Sequence, residues 1–403
     1  MNSRLTPIEE ALTRLREDLP LLALPETVEL TQADGRILAH DLYGAVDVPA
    51  SDNSAMDGYA VNSQAVSQIP VTLAVSQRIP AGQAGEPLQS GTAARIFTGA
   101  PLPAGADAVV MQENTQPAGQ SVTILQRVAA GENVRSRGDD IPAGTLLFKA
   151  GHRLRAHDMH VLASCGIARL AVRKPLKVAI LTTGDELVRP GTSLEAGQIY
   201  NSNFYLLSAL VAGLGMQVVD CGTVGDGLDT TVEKFARAAG EADCLLSSGG
   251  VSVGEEDHVK AAVQRLGRID LWKLALKPGK PFAWGEVKGR PFFGVPGNPV
   301  SAFVTFVLLV RPALLAMSGA RSHEPLSFRL PVAFDYSSGD RQEYLRVVLW
   351  SRDGGGELQI VDNQSSGAGS SLSQADGLAV LPPFTSVTAG DMLSFIPFSE
   401  LIG

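Results

Sequence analysis

The run Lys177-Val178-Ala179-Ile180-Leu181 constrains this chain more than any other feature. Its apolar residues do not alternate with polar ones, so a strand here is covered on both faces. That is the situation of a parallel strand held between two layers of helix. The residues that follow agree. Helical periodicity at 203–214 leads to a strand at Gln217-Val218-Val219-Asp220-Cys221, then a helical stretch at 229–240 and an extended Cys244-Leu245-Leu246-Ser247. Another helix is expected at 257–266, strands at 271–276, 281–284 and 292–295, and a long helix over 299–317. Alternating strands and helices predict a doubly wound, mostly parallel α/β domain spanning 176–322.

The flanks read differently. Ile8, Leu12, Leu15 and Leu19 sit at helical spacing, with Thr6 as the expected N-cap and Pro7 at the first helical position. A second helix-like piece covers 30–36. From Val46 to about Val172 short alternating runs are separated by Gly, Pro and Asp, as in Val71-Thr72-Leu73-Ala74-Val75 and Ser121-Val122-Thr123-Ile124-Leu125. A helix at 156–165 returns the chain to its first part. The expected division is an N-terminal helical and extended domain from 1–45 and 142–175, with a β-rich domain inserted over 46–141. A C-terminal small β-barrel of short strands without helix occupies 323–403.

With 403 residues, 45% hydrophobic and 19% charged, the chain has material for several cores and is not disordered. A net charge of -9 disfavours a general nucleic-acid binder. Three distant cysteines without a CxxC argue against a disulfide scaffold or structural zinc and suit a reducing compartment. The N-terminus reads as a charged helix rather than a signal peptide. The most apolar run, Ala302 to Leu315, is interrupted by Arg311 and Pro312 and reads as a buried helix rather than a membrane span. A cytoplasmic protein with no membrane and no nucleic-acid partner is expected.

Three loops carry candidate chemistry, all at expected strand ends, where open α/β sheets bind ligands. Thr182-Thr183-Gly184-Asp185-Glu186-Leu187 places two adjacent carboxylates there. Ser247-Ser248-Gly249-Gly250-Val251-Ser252-Val253-Gly254 offers backbone N–H and hydroxyl groups suited to an anion, and equally suits a tight turn. Glu255, Glu256 and Asp257 follow. They fit a divalent metal beside a phosphate, or simply complement a helix dipole. The third loop runs Lys273-Leu274-Ala275-Leu276-Lys277-Pro278-Gly279-Lys280-Pro281, where Lys273 and Lys277 can share one crevice. It is matched by Gly294-Val295-Pro296-Gly297-Asn298-Pro299-Val300-Ser301, a turn into a helix start. Far from these lie Asp52-Asn53-Ser54-Ala55-Met56-Asp57-Gly58, Phe97-Thr98-Gly99-Ala100-Pro101 and Arg135-Ser136-Arg137-Gly138-Asp139-Asp140. Each of these also reads as a capped or salt-bridged turn. The six histidines show no HExxH spacing, and no GxSxG elbow is present.

Taken in order, the segments 52–60, 98–101, 137–141, 183–187, 247–254, 277–281 and 296–301 resemble the motifs of the molybdopterin molybdenumtransferase family, bacterial counterparts of the gephyrin E domain. The resemblance covers nearly the whole chain. It implies a transferase that takes adenylylated molybdopterin and molybdate, inserts the metal into the dithiolene and releases AMP, with Mg2+ as helper. It also implies an elongated homodimer, with the site between the α/β domain of one subunit and the 52–140 region of the other. On this resemblance Asp57, Thr98 and Asp140 act from the partner side, with Lys273 and Lys277 stabilising charge. Glu186 and Asp226 hold magnesium or its water. Ser248, Gly249, Gly250, Ser252 and Gly254 hold phosphates. Asp257, Pro296 and Pro299 line the crevice, and Arg346 and Ser366 approach it from the C-terminal domain. Where the family often pairs two aspartates, Asp226 is followed here by Gly227. A molybdopterin adenylyltransferase and molybdopterin-dependent enzymes are the implied partners. Two other readings are weighed against this one. An adenylyltransferase consists of the α/β domain alone, and a peptide-binding scaffold would not need Asp57, Glu186 or Lys277.

Overall fold

The computed structural model describes residues 5–225, 227–250, 258–321, 324–352 and 355–402. The α/β domain carries six strands: β1 (Lys177–Thr183), β2 (Gln217–Val224), β3 (Cys244–Ser248), β4 (Gly267–Lys273), β5 (Pro281–Val287) and β6 (Arg290–Val295). They lie in the order β2-β1-β3-β6-β5-β4. β1 behaves as its sequence requires. Val178 and Ile180 enter one core with the helices Ser202–Gly213 and Pro299–Thr305, while Ala179 and Leu181 enter another with Leu228–Glu241 and His258–Leu266. β2, β1, β3 and β6 are mutually parallel. β5 alone runs against them, because it reaches β6 through a two-residue turn, Lys288-Gly289, both at positive φ (48° and 79°), and β4 pairs with β5 while running in the direction of β6. Such a turn folds a strand back on its neighbour, as a hairpin requires.

The helical stretch Pro299–Met317 is long and apolar enough to cross a membrane, but 94% of it is buried inside the protein. It contains a π-helical segment, Phe306–Val310, directly before Arg311 and Pro312. A proline there withdraws one N–H from the ladder and crowds the preceding turn, and local widening to a π-bulge relieves both.

The helix Ile8–Asp18, grouped by sequence with 142–175, packs instead on the α/β domain through Ile8, Ala11 and Leu15. Thr6 does not cap it. Its N–H donates to Lys273 O at 2.7 Å and its carbonyl accepts from Ala275 N at 2.8 Å, an added bridge beside β4. The helix-like 30–36 piece reduces to one 3-10 turn, Leu30–Gln32, ahead of Asp34-Gly35 with Gly35 at positive φ. Pro25–Glu29 pairs with Arg169–Arg173, and these strands share a core with the helix Ala156–Ser164.

The inserted region forms a six-stranded sheet with an apolar cluster on each face. The C-terminal region places Phe328–Pro331, Met392–Pro397, Gly377–Leu381, Gln342–Arg352 and Gly355–Ile360 side by side. The barrel closes where Val332 bridges Leu358 and Ala333 N donates to Leu358 O at 2.8 Å. Two short helices, Ser370–Gln374 and Phe398–Ile402, occur where the sequence offered none.

Close backbone approach makes two glycines respond with opposite signs. A Cβ at Gly58 would lie 1.9 Å from Val110 O across the inserted sheet, whereas a Cβ at Gly240, exposed in Leu228–Glu241, meets nothing within 4 Å. Gly58→Ala is expected to lower stability by about 1–3 kcal/mol, and Gly240→Ala to raise it by roughly 0.5–1 kcal/mol. Urea midpoints of the two variants check both signs.

Candidate active site

The carboxyl ends of β1, β3 and β6 open on one cleft of about 600 Å³. Its walls combine hydroxyl, amide and glycine groups from Thr182, Thr183, Asn201, Ser202, Asn203, Ser248, Gly249, Gly250, Gly297, Asn298, Ser301 and Gly367 with the side chains of Leu187, Ile199, Tyr200, Pro281, Pro296 and Pro299. Glu186 is the one acidic side chain among the described residues lining it, and no Lys or Arg lines it.

Two asparagines hold these loops. Asn201 caps the helix Ser202–Gly213 by accepting from Phe204 N at 3.2 Å, and its amide donates to Thr182 Oγ1 at 2.7 Å. Asn203 donates to Ser248 Oγ at 2.8 Å and to Gly297 O at 2.7 Å, tying the loop after β3 to the loop after β6. Neither residue was singled out from sequence. Asn201, ahead of an apolar periodic run, carries an N-cap signal that would have found it. The role of Asn203 depends on contacts 45 and 94 residues away, which no local pattern encodes.

Gly249 and Gly250 both take positive φ (90° and 66°), and a Cβ on Gly249 would lie 2.6 Å from Thr183 Oγ1. The backbone donors assigned to an anion are partly committed. Gly249 N donates to Val295 O at 3.1 Å, and Val300 N to Ser366 O at 3.1 Å. Ser252, Gly254, Asp257 and Asp226 lie outside the described residues.

Ser248, Gly249, Gly250, Pro296, Pro299 and Glu186 all line the cleft. Ser366 is brought alongside. Its hydroxyl accepts from Asn298 Nδ2 at 3.1 Å, and the next residue, Gly367, forms part of the wall. Arg346 does not face the cleft. It is 1% exposed and donates to Ser371 Oγ, Asn363 O and Ser365 O, so it shapes the 363–371 loop from beneath. Burial pulls its pKa down to about 10.

Lys273 and Lys277 part company. Lys273 ends β4 opposite Pro281, which lines the cleft. Lys277 lies beyond it, with its ammonium on Glu343. Among the described residues no group of three His, Cys, Asp or Glu side chains is arranged to hold a metal.

Asp57, Thr98 and Asp140 do not line this cleft. Asp57 Oδ1 accepts from both Thr98 N and Thr98 Oγ1, each at 2.8 Å. These bonds, with Arg95 nearby, hold its carboxyl below the usual range. Asp140 is exposed on the neighbouring turn, where its N–H donates to Val48 O at 3.0 Å.

An open α/β sheet with a cleft across its parallel strand ends, in a chain that also carries an inserted β domain and a closed barrel, defines a multidomain protein with a ligand-sized site where open α/β sheets bind ligands. Comparison with known proteins narrows this. Residues 6–166 match the MoeA N-terminal region (domain I and II), 179–316 a probable molybdopterin binding domain, and 329–398 the MoeA C-terminal region (domain IV). A molybdopterin molybdenumtransferase of Haemophilus influenzae is 36% identical over 98% of this chain and 99% of its own length. One from a Nostoc species is 40% identical over 89% of this chain and 85% of its own. The structure of the molybdopterin biosynthesis MoeA protein of Pyrococcus horikoshii superposes with a TM-score of 0.82 at 32% identity, covering 98% of this chain and 99% of that one. The chain belongs to the molybdopterin molybdenumtransferase (MoeA) family.

The depressed Asp57 carboxyl has a sign that can be measured. Its stabilising contribution is present above the ordinary carboxyl pKa and is lost only as pH falls through the lower folded value. Thr98→Val removes one of the two Thr98 donors. The Asp57 carboxyl resonance is then expected to titrate at a higher pH than in the wild type. An unchanged titration would show that the hydroxyl contributes nothing.

Proposed function

We propose that this protein inserts molybdate into adenylylated molybdopterin with release of AMP, as a homodimer in the cytoplasm, supplied by a molybdopterin adenylyltransferase and passing its product to molybdopterin-dependent enzymes. The observation that carries the reading is the cleft at the ends of β1, β3 and β6 in a chain of this family. Its size suits a pterin nucleotide, and its hydroxyl and amide walls suit a ligand bearing many polar edges.

Asp57, Thr98 and Asp140 lie off the cleft of their own chain, and this supports a composite site. Lys273, opposite the wall residue Pro281, and Lys277, held beyond it on Glu343, would stabilise negative charge on the phosphates or on molybdate as the phosphoanhydride breaks and AMP leaves. Asp57, Thr98 and Asp140 of a second copy would close the other side. The Asp57 carboxylate, held by Thr98, would stay ionised throughout the physiological range and orient a donor on the substrate or a water.

Magnesium usually takes one or two carboxylates together with substrate phosphates and water. Glu186, on the wall, fits that donor set, and Asp226 is the second expected ligand. The ion would neutralise phosphate charge when bound.

Purified protein given adenylylated molybdopterin, magnesium and molybdate is expected to release AMP only when molybdate is present. Asp57→Ala or Lys277→Ala is expected to lower kcat/KM by about 100- to 1,000-fold. AMP release that ignores molybdate, or none from folded wild-type protein, would overturn the proposal.

A further inference from the structure

Lys277 is held from the barrel. Its Nζ lies 3.2 Å from Glu343 Oε2 and 3.3 Å from Oε1. Glu343 is 3% exposed, while the Lys277 side chain is about half exposed (48%). The carboxylate is satisfied from two further sides, by Tyr336 OH at 2.9 Å and Gly339 N at 3.3 Å. A buried carboxylate with fixed donors cannot move to follow a lysine, so the lysine must come to it. The backbone is tied at the same place. Leu276–Lys277 pairs in parallel with Gln342–Glu343, Gln342 N donates to Ala275 O at 3.0 Å, and Arg341 Nη1 donates to Leu276 O at 3.1 Å.

We propose that Glu343 is a positioning residue for the transfer reaction: anchored by Tyr336 and Gly339, it fixes the position of the Lys277 ammonium. This rests on the role for Lys277 proposed above. Lys277 carries a flexible four-carbon stem. Without an anchor its charge would be spread over many rotamers when the leaving phosphate develops charge. The anchor also partly neutralises the ammonium, so its removal should not weaken ground-state attraction for an anion. The expected signature is therefore a loss in kcat without a rise in KM.

Glu343→Gln is expected to lower kcat about ten- to a hundredfold, with KM for the adenylylated pterin unchanged or lower. A second readout does not depend on activity. Brief reaction of the whole protein with acetic anhydride, followed by mass spectrometry, should show Lys277 acetylated several-fold faster in Glu343→Gln, measured against Lys280, an exposed lysine three residues on. Glu343→Asp, which keeps the charge, should restore part of both. It also carries the test if Glu343→Gln melts below assay temperature. An unchanged kcat, a rise in KM alone, or an unchanged ratio of Lys277 to Lys280 labelling would overturn the proposal. If the wild type releases no AMP, the labelling ratio still decides whether Glu343 holds Lys277, and it is the transferase reading that falls.

Discussion

Three parallel strands end at one place, and the side-chain amide of Asn203 keeps their loops together. One nitrogen donates to Ser248 after β3 and to Gly297 after β6, while Asn201, two residues earlier, caps the helix and holds Thr182 at the end of β1. Glycines then allow backbones to approach where side chains would fill the gap, as at Gly249 beside Thr183. The cleft follows from these contacts. Its walls mix these hydroxyls and amides with Leu187, Ile199, Tyr200 and three prolines, and Glu186 is the one charged side chain among the described lining residues.

The domains around this cleft each add something it lacks. The barrel sends a loop to the start of the helix Pro299–Thr305, where Ser366 O takes the Val300 N–H and Gly369 lies against Pro299. Arg346 supports that loop through three hydrogen bonds from a buried guanidinium. A guanidinium without those partners would be costly to bury. The same barrel grips Lys277 through Glu343. The inserted domain carries the Asp57–Thr98 pair, which does not line the cleft of its own chain.

Much of this was legible in the sequence. The unbroken run at 177–181 required a strand covered on both faces, and its residues divide between two cores as that demands. The loops at 182–187, 247–250 and 294–301 could be placed at strand ends by alternation alone, and residues from each line the cleft. What escaped notice depended on distance or on overridden preference. Arg346 was expected to approach the cleft, yet the 363–371 loop closes over its buried guanidinium. Thr6 has the chemistry of a cap, but a bridge to the segment after β4 claims its backbone first. The reversal of β5 was encoded in Lys288-Gly289, whose positive φ values are invisible until the turn is recognised as a hairpin. Glu343 gave no signal, because its meaning lies in a lysine 66 residues away.

The central claim is that one reaction site draws on two copies of the chain. Asp57→Ala and Glu186→Ala change opposite sides of such a site. Each variant alone should be inactive in molybdate-dependent AMP release. When the two are denatured together and refolded, half the dimers are mixed and each keeps one intact site, so activity should return to about a quarter of the wild-type rate. If both groups act within a single chain, every subunit in the mixture carries one defect, and no activity will return.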